Sequence, residues 1–155
     1  GVPPVERYVR VVEGILAYQF GRTAARAMLE GEVEVRVRRG RPREVFVDGS
    51  RLCTIRASDG LASLAPEGAR RLHEATEFPE HRVVCSEEWA DAVRRGRDLF
   101  CEYAVEGWEE LRPGDECLVV TEGDELLAVG RARLSGWEMR YFDDGVAVRV
   151  RRGLG

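Results

Sequence analysis

RVVCSEEWADAVRRGRDLF, residues 82–100, is the stretch of the sequence that indicates the fold most strongly. Arg82–Cys85 has the apolar character of a short strand, and Ser86 stands at the N-cap position of a following helix. Acidic residues fill the first turn of that helix and arginines fill its last turn, so both ends complement the helix dipole. Gly96 ends the helix, and a second strand is predicted over Leu99–Val105.

The remainder of the second half is rich in short strands separated by turn residues. Strands are predicted over 117–121, 126–133 and 146–152, with a short helix over 137–141. In the last strand valines facing a core alternate with arginines facing solvent: Val146, Val148 and Val150 against Arg149 and Arg151. A strand, a helix and then four or five short strands are typical of a small, partly closed barrel.

The first half has a different pattern. A helix is predicted over 4–18, because its apolar residues recur at helical spacing: Val5, Tyr8, Val9, Val12, Ile15 and Leu16. A second helix over 23–29 is followed by strands over 32–39, 43–47, 52–56 and 61–64, with hairpin turns at Gly40–Pro42 and Asp48-Gly49, and by a helix over 66–75.

The two patterns meet near Pro79, which favours extended backbone at the residue before it. We therefore expect an α+β chain with two domains. Residues 1–78 form N-terminal helices packed on a small antiparallel sheet, and residues 79–155 form a mixed β-barrel with short helices.

The charge of the chain is unevenly distributed. All 24 basic residues are arginine, and the formal net charge is −4. Residues 1–78 carry 13 arginines and 11 acidic residues, whereas residues 79–155 carry 11 arginines and 17 acidic residues. Net negative charge opposes long-range attraction to a polynucleotide, but a local group of arginines still holds phosphates within a screening length of about 8–10 Å. The positions of the arginines therefore decide whether a nucleic acid is a partner.

Several functional classes lack a signal in the sequence. No run approaches the roughly 20 apolar residues of a membrane span, and the N-terminal segment lacks the apolar stretch of a signal peptide, so we expect a cytoplasmic protein. The two histidines have no metal-binding spacing, and no nucleophile motif or glycine-rich phosphate loop is present. We expect no metal, no cofactor and no catalysis, and four buried thiols that form no CxxC pair: Cys53, Cys85, Cys101 and Cys117.

The second half resembles a PUA domain, the module named after pseudouridine synthases and archaeosine transglycosylases. The resemblance rests on five segments in the same order: Arg95–Phe100, Arg112–Glu116, Leu127–Ala132, Ser135–Met139 and Gly145–Val148. It implies a PUA-type mixed β-barrel that binds RNA, often at the acceptor stem and 3′ end of tRNA.

The first half is similar to the domain that precedes the PUA domain in archaeal archaeosine tRNA-guanine transglycosylase. The segments that carry this similarity are Ala17–Gly21, Arg43–Gly49, Thr54–Gly60 and Pro66–Ala69. The catalytic barrel of that family, with its aspartates and its zinc site, has no counterpart in these residues. The resemblance therefore implies the RNA-holding part of such an enzyme, acting in RNA modification or processing.

The resemblance also names candidate site residues, because PUA domains hold RNA between the loop after the first helix and the last strand. Carried onto this sequence, these are Arg94, Arg95, Gly96, Arg97, Asp98, Leu99 and Phe100 on one side and Val148, Arg149, Arg151 and Arg152 on the other. Guanidinium groups make two-point contacts to phosphate, and a glycine lets backbone N–H groups approach closely. Helix capping and solvent exposure explain the same glycine and arginines equally well, so both interpretations stay open.

A second group of arginines, here called the hairpin strip, surrounds the predicted turn at Gly40–Pro42: Arg36, Arg38, Arg39, Arg41 and Arg43. Five arginines within eight residues are able to follow a phosphate backbone. Cross-strand pairing with Glu32 and Glu34 on a solvated hairpin is the alternative.

Three functional hypotheses follow. The first is a non-catalytic protein that binds tRNA or another structured RNA and serves a modification or processing enzyme. The second is an accessory subunit that completes a tRNA-guanine transglycosylase-like catalytic chain, with the Val5–Leu16 helix as its docking surface. The third is an enzyme with an unrecognised site.

Overall fold

The computed structural model describes residues 4–155, apart from the side chain of Pro4. The chain forms two compact units, which we call the first unit, ending at Thr76, and the second unit, Glu77–Gly155. Helices with a four-stranded antiparallel sheet make up the first unit, and a nearly closed mixed barrel of six strands makes up the second. The predicted α+β fold class is confirmed.

The first unit begins with two helices, α1 (Pro4–Phe20) and α2 (Arg22–Met28). Its sheet has the strand order β1-β2-β3-β4, and the last helix follows: β1 (Val33–Arg38), β2 (Arg41–Val47), β3 (Ser50–Ile55), β4 (Ala62–Leu64) and α3 (Pro66–Ala75). The side chain of Gln19 ties α1 to the sheet: its Nε2 donates to the Ala62 carbonyl at 3.1 Å, and its Oε1 accepts the Ala62 N–H at 2.7 Å.

The apolar stripe of α1 packs into the core of its own unit. Val12 and Leu16 are fully buried, whereas Val5, at the start of the stripe, is 66% exposed. Burial of Val12 and Leu16 withdraws these two residues from the predicted docking surface, whereas Tyr8, Val9 and Ile15 are only half-buried.

The first hairpin is tighter than the sequence predicts. Arg39 and Gly40 both have positive φ, 54° and 74°, so a two-residue turn joins β1 to β2 and the strand resumes at Arg41. Pro42 lies within β2 and is buried, and it is not part of the turn.

The second unit has the strand order β6-β10-β9-β8-β5-β7, in which only β5 and β8 are parallel neighbours. Its elements are β5 (Arg82–Cys85), α4 (Glu87–Arg94), β6 (Leu99–Phe100), β7 (Ala104–Gly107), β8 (Glu116–Val120), β9 (Leu126–Ala132) and β10 (Val146–Gly153). Short 3₁₀ turns lie at Cys101–Tyr103 and Met139–Tyr141. The predicted helix over 137–141 is therefore a single 3₁₀ turn.

The predicted strand over Leu99–Val105 is interrupted. The 3₁₀ turn at Cys101–Tyr103 divides it into β6 and β7, which are the two edge strands of the six-stranded sheet. The chain passes from one edge of the sheet to the other within a few residues, and this crossing nearly closes the barrel. A single straight strand would pair along only one edge.

Helix α4 begins after Ser86, as predicted, but not through the predicted hydrogen bond. The Ser86 hydroxyl is buried without a partner, and it is the Ser86 carbonyl that accepts the Trp89 N–H at 3.2 Å. The position of the helix start is confirmed, and the capping role of the Ser86 side chain is wrong.

All four cysteine side chains are buried. Burial raises the pKa of Cys85 to about 12 and raises that of Cys117 further, while burial and the Asp144 carboxylate raise the pKa of Cys101. Within residues 4–155, no three metal-ligating side chains gather in one place. No helix of that range has the length and apolarity needed to cross a bilayer.

The cysteines are expected to be unreactive in the folded protein. A raised pKa keeps the thiols of Cys85, Cys101 and Cys117 protonated at about pH 8, and burial of all four cysteines excludes the reagent, so Ellman's reagent should label none of them until guanidinium is added. Stoichiometric labelling of the native protein within minutes would contradict this expectation, and the denatured protein is the control for complete reaction.

Candidate nucleic-acid interface

Helix α4 ends in a Schellman motif centred on Gly96. The Gly96 N–H donates to the Val93 carbonyl at 2.9 Å and the Arg97 N–H donates to the Ala92 carbonyl at 3.0 Å, while Gly96 has a φ of 104°. The capping interpretation of this glycine therefore holds. The expectation that these N–H groups approach a phosphate is wrong for both of them, because the helix already uses them.

The loop after α4 lies directly against the last strand. Strand β6 pairs with β10, with Leu99 opposite Val148, and one carboxylate oxygen of Asp98 accepts the Val150 N–H at 2.9 Å. A Cβ atom at Gly153 would collide with the Arg94 carbonyl and would lie 2.7 Å from the Gly96 nitrogen. The structure thus brings together the two segments that the sequence named. We call the surface formed by residues 94–98 and 149–152 the loop–strand edge.

Two of the predicted contact residues face the core. Leu99 and Val148 are fully buried, so their side chains are out of reach of a polynucleotide and instead hold β6 against β10. Phe100 is half-buried, with its ring 5.8 Å from that of Trp89. The Asp98 carboxylate also makes a contact within the protein, because it accepts a hydrogen bond from the backbone of β10.

Four guanidinium groups of the edge are available to a ligand. Arg95, Arg97, Arg149 and Arg152 are exposed, and no carboxylate of residues 4–155 forms an ion pair with any of them. Arg94 differs, because it is held by Asp91 at 2.6 Å and by Glu125 at 3.2 Å.

Arg151 also forms an ion pair within the protein. Its two terminal nitrogens bind both oxygens of Glu116, at 2.8 and 2.6 Å, and the Glu116 side chain has no exposed surface. A buried carboxylate without a partner is costly, so this two-point pair is a structural requirement of the barrel. Arg151 is therefore a poor candidate for RNA contact.

The sequence reasoning missed one arginine that the sheet adds to this surface. Arg131 on β9 lies directly opposite Arg149 on β10, and its Nε donates to the Gly114 carbonyl at 3.1 Å. Its neighbour Gly130 has no Cβ because the Arg149 carbonyl occupies that space. A single charged residue in the apolar strand β9 indicates that Arg131 faces outward, but only the strand pairing places it beside Arg149.

Exposed aromatic side chains precede β10. Trp137 is 57% exposed and Tyr141 is 67% exposed, with their ring centroids 6.5 Å apart, and the Arg140 guanidinium lies over Tyr141. The other two tryptophans, Trp89 and Trp108, are half-buried and pack against the core.

Three acidic residues of the second unit line a cavity near β7. Glu106 lies on β7 and lines this cavity together with Glu109, Glu110 and Trp108. Other carboxylates lie at the loop–strand edge itself, where Asp91 and Glu125 bind Arg94 and Glu116 binds Arg151.

The arginines of the hairpin strip in the first unit have two different environments. Arg36 pairs at 3.0 Å with Glu34 of its own strand, not across the hairpin, and lies over the Phe46 ring at 4.4 Å. Arg38, Arg39 and Arg41 are exposed, and Arg38 lies opposite Arg41, so like charges are adjacent across the strands.

Family models match both halves of the chain. The patch-forming domain C2 of tRNA-guanine transglycosylase matches residues 10–79, and the PUA domain matches residues 81–154. The tRNA-guanine(15) transglycosylase of Pyrococcus abyssi is 48% identical over 152 residues, covering 98% of this chain and 26% of that protein. The corresponding protein of Methanocaldococcus jannaschii is 40% identical over 147 residues, covering 92% and 22%. The chain thus spans about a quarter of the length of these curated relatives.

Solved structures share the fold over most of the chain. A hypothetical protein of Pyrococcus horikoshii OT3 superposes with a TM-score of 0.75 at 25% identity, covering 98% of this chain and 92% of that one. A PUA domain protein of Aeropyrum pernix K1 has a TM-score of 0.66 at 20% identity, covering 94% and 81%, and shows likeness of fold alone.

Removal of the Arg151 guanidinium should destabilise the protein. Arg151→Ala removes both guanidinium hydrogen bonds from the buried Glu116 carboxylate, and we expect a loss of about 2–3 kcal/mol in urea unfolding, somewhat below the cost for a fully buried pair because Arg151 is partly exposed. Adding Glu116→Gln to this variant should recover part of the loss. Equal stability of Arg151→Ala and wild type would show that the pair is not needed.

Proposed function

Since the chain consists of the C2 patch-forming domain of tRNA-guanine transglycosylases followed by a PUA domain, homologous to the C-terminal quarter of the archaeal enzymes, we propose that it binds RNA without catalysing a reaction itself. The RNA is tRNA or another structured RNA, and the setting is RNA modification or processing in the cytoplasm. We also propose 1–78 and 79–155 as the functional domains.

The observation that supports this proposal most directly is the loop–strand edge. Arg95 and Arg97 lie on the loop, and Arg149 and Arg152 on the strand, that the pairing of β6 with β10 brings together. All four are exposed and form no ion pair with a carboxylate of residues 4–155. Arginine binds phosphate oxygens in a two-point geometry, and phosphate contacts position a protein on a helical stem. The RNA backbone is the ligand that this group of charges fits.

The exposed aromatic rings extend the same proposal to an unpaired RNA end. Trp137 and Tyr141 offer accessible faces next to the start of β10, and bases stack on such rings with about 1–3 kcal/mol each. A stem held by guanidinium groups and a single-stranded end held by stacking are the two modes by which proteins recognise RNA of this kind.

The affinity for tRNA should depend on the exposed arginines of the edge. We expect Arg97→Glu/Arg149→Glu to weaken binding of total tRNA by at least about tenfold in a filter-binding titration, because two phosphate contacts become repulsive. If four phosphates are neutralised, wild-type affinity should fall roughly 100-fold between about 50 and 200 mM salt. Arg151→Glu is unsuitable here, because it would disrupt the buried pair with Glu116.

A matched control is Arg22→Glu/Arg70→Glu, which makes the same change in net charge at exposed positions of the first unit. This control should bind tRNA within about twofold of wild type, since it removes no proposed contact. Equal binding by the edge variant and wild type would rule out the loop–strand edge as the RNA site.

A second candidate function is that of an accessory chain for a catalytic subunit. Val11 and Tyr18, seven residues apart and therefore on one face of α1, are 44% and 82% exposed. The curated relatives carry homologous domains within chains about four times as long, which supports a docking role toward such a catalytic portion.

Docking should be detectable with a shortened relative. We expect the chain to co-elute in gel filtration with the Pyrococcus abyssi enzyme from which the homologous quarter has been deleted, and Tyr18→Glu should abolish co-elution by placing charge in the apolar contact. Arg22→Glu is the control for added negative charge outside that face. Separate elution of the two wild-type chains would exclude this function.

A further inference from the structure

A pocket of about 510 Å³ opens in the first unit between α1, the start of β2 and the loop after β3. The volume lies within the range of about 300–1,000 Å³ that small-ligand sites occupy. Helix α1 contributes Arg7 and Tyr8, strand β2 contributes Arg41 and Arg43, and the loop contributes Arg56 and Ala57. The sequence singled out the two β2 residues as part of the hairpin strip, but gave no reason to join them to α1.

The charge of the pocket is entirely positive. Four arginines line it, and no acidic side chain of the described chain is among the lining residues. Arg56 is fixed by Asp59 at 2.9 Å and by the Ser63 hydroxyl at 2.9 Å, so its charge is largely balanced. Arg7, Arg41 and Arg43 remain, and the last two leave β2 on the same side because they are two residues apart.

The rest of the pocket is apolar and aromatic. The half-buried Tyr8 ring carries the Arg7 guanidinium at 5.1 Å from its centroid, and Ile15 and the buried Ile55 lie beside it. A cationic rim over such a surface suits a ligand with an anionic group and a flat ring. A nucleotide has both, since its phosphate accepts two-point bonds from arginine and its base stacks on an aromatic ring.

We propose that this pocket binds one unpaired nucleotide of an RNA chain, with its phosphate at Arg7, Arg41 and Arg43 and its base against Tyr8. The proposal rests on the proposed function in one respect, that RNA is the partner, but not on the loop–strand edge. An acidic peptide would satisfy the arginines but would leave the aromatic surface without a matching group.

The test uses the full chain and a fluorescein-labelled RNA pentanucleotide, with affinity measured by anisotropy. Ala57→Trp fills the pocket without changing charge at an exposed position, and should weaken binding by about tenfold or more through loss of stacking. Ser58→Trp is the matched control, because Ser58 is the exposed neighbour that does not line the pocket, and should bind like wild type.

A second pair of variants separates the pocket from general attraction to the hairpin. Arg41→Gln/Arg43→Gln should weaken binding of the pentanucleotide by about tenfold, whereas Arg38→Gln/Arg39→Gln, with the same loss of charge on the same hairpin, should weaken it by less than about threefold. Equal losses in the two double variants would overturn the pocket, as would wild-type binding by Ala57→Trp.

Competition identifies the ligand. A nucleoside monophosphate should compete only at concentrations on the order of 100-fold above the pentanucleotide, because it lacks the flanking nucleotides of the RNA chain. Equal competition by the monophosphate would overturn the assignment to an RNA chain, and equal competition by a polyglutamate peptide would overturn the assignment to a nucleotide.

The pentanucleotide and tRNA assays together distinguish failure of the pocket from failure of the proposed function. If Arg97→Glu/Arg149→Glu loses tRNA but still binds the pentanucleotide through the pocket, both proposals are supported. If tRNA binding depends on the edge while the pentanucleotide does not bind at all, only the pocket fails. If the pocket variants lose the pentanucleotide and the edge variant binds tRNA normally, only the edge fails.

Discussion

The hydrogen bond from the Val150 N–H to the Asp98 carboxylate, together with the missing Cβ of Gly153, fixes the loop after α4 against the last strand. Asp98 is acidic, and a negative charge beside Arg97 would by itself oppose RNA binding. In the structure the Asp98 carboxylate accepts a hydrogen bond from the backbone of β10. The arginines beside it can therefore face outward from a rigid support, which lowers the entropy lost when they bind a ligand.

Net charge is a poor guide to which ligand this protein binds, because some arginines are neutralised by ion pairs and others are not. Two arginines of the loop–strand edge, Arg94 and Arg151, form ion pairs with carboxylates. The other four, Arg95, Arg97, Arg149 and Arg152, are exposed and form no ion pair within residues 4–155. The glutamates near β7 lie at the other end of the strand order. At ordinary salt the screening length is shorter than a domain, so a local group of four guanidinium groups governs contact with phosphate.

The two units combine charge with flat rings in different ways. On the second unit guanidinium groups line an open edge, and the aromatic rings of Trp137 and Tyr141 stand exposed before β10. On the first unit the guanidinium groups surround a pocket with Tyr8 inside it. An open edge suits the continuous backbone of a stem, whereas a pocket admits a single residue that has left the stack.

The sequence by itself determined most of the helices and strands, the α+β class and the glycine cap of α4, because capping, turn chemistry and residue periodicity act between near neighbours. The segments that meet at the loop–strand edge were identified from the family resemblance. Only the tertiary structure decided which side chains are free to act. Arg151 is paired with a residue 35 positions away, Asp98 with one 52 positions away, and Arg131 lies beside Arg149 through strand pairing. The pocket joins Tyr8 to Arg41 in the same way. Such contacts depend on how distant segments pack, and no local pattern in the chain encodes which partner a charged side chain will meet.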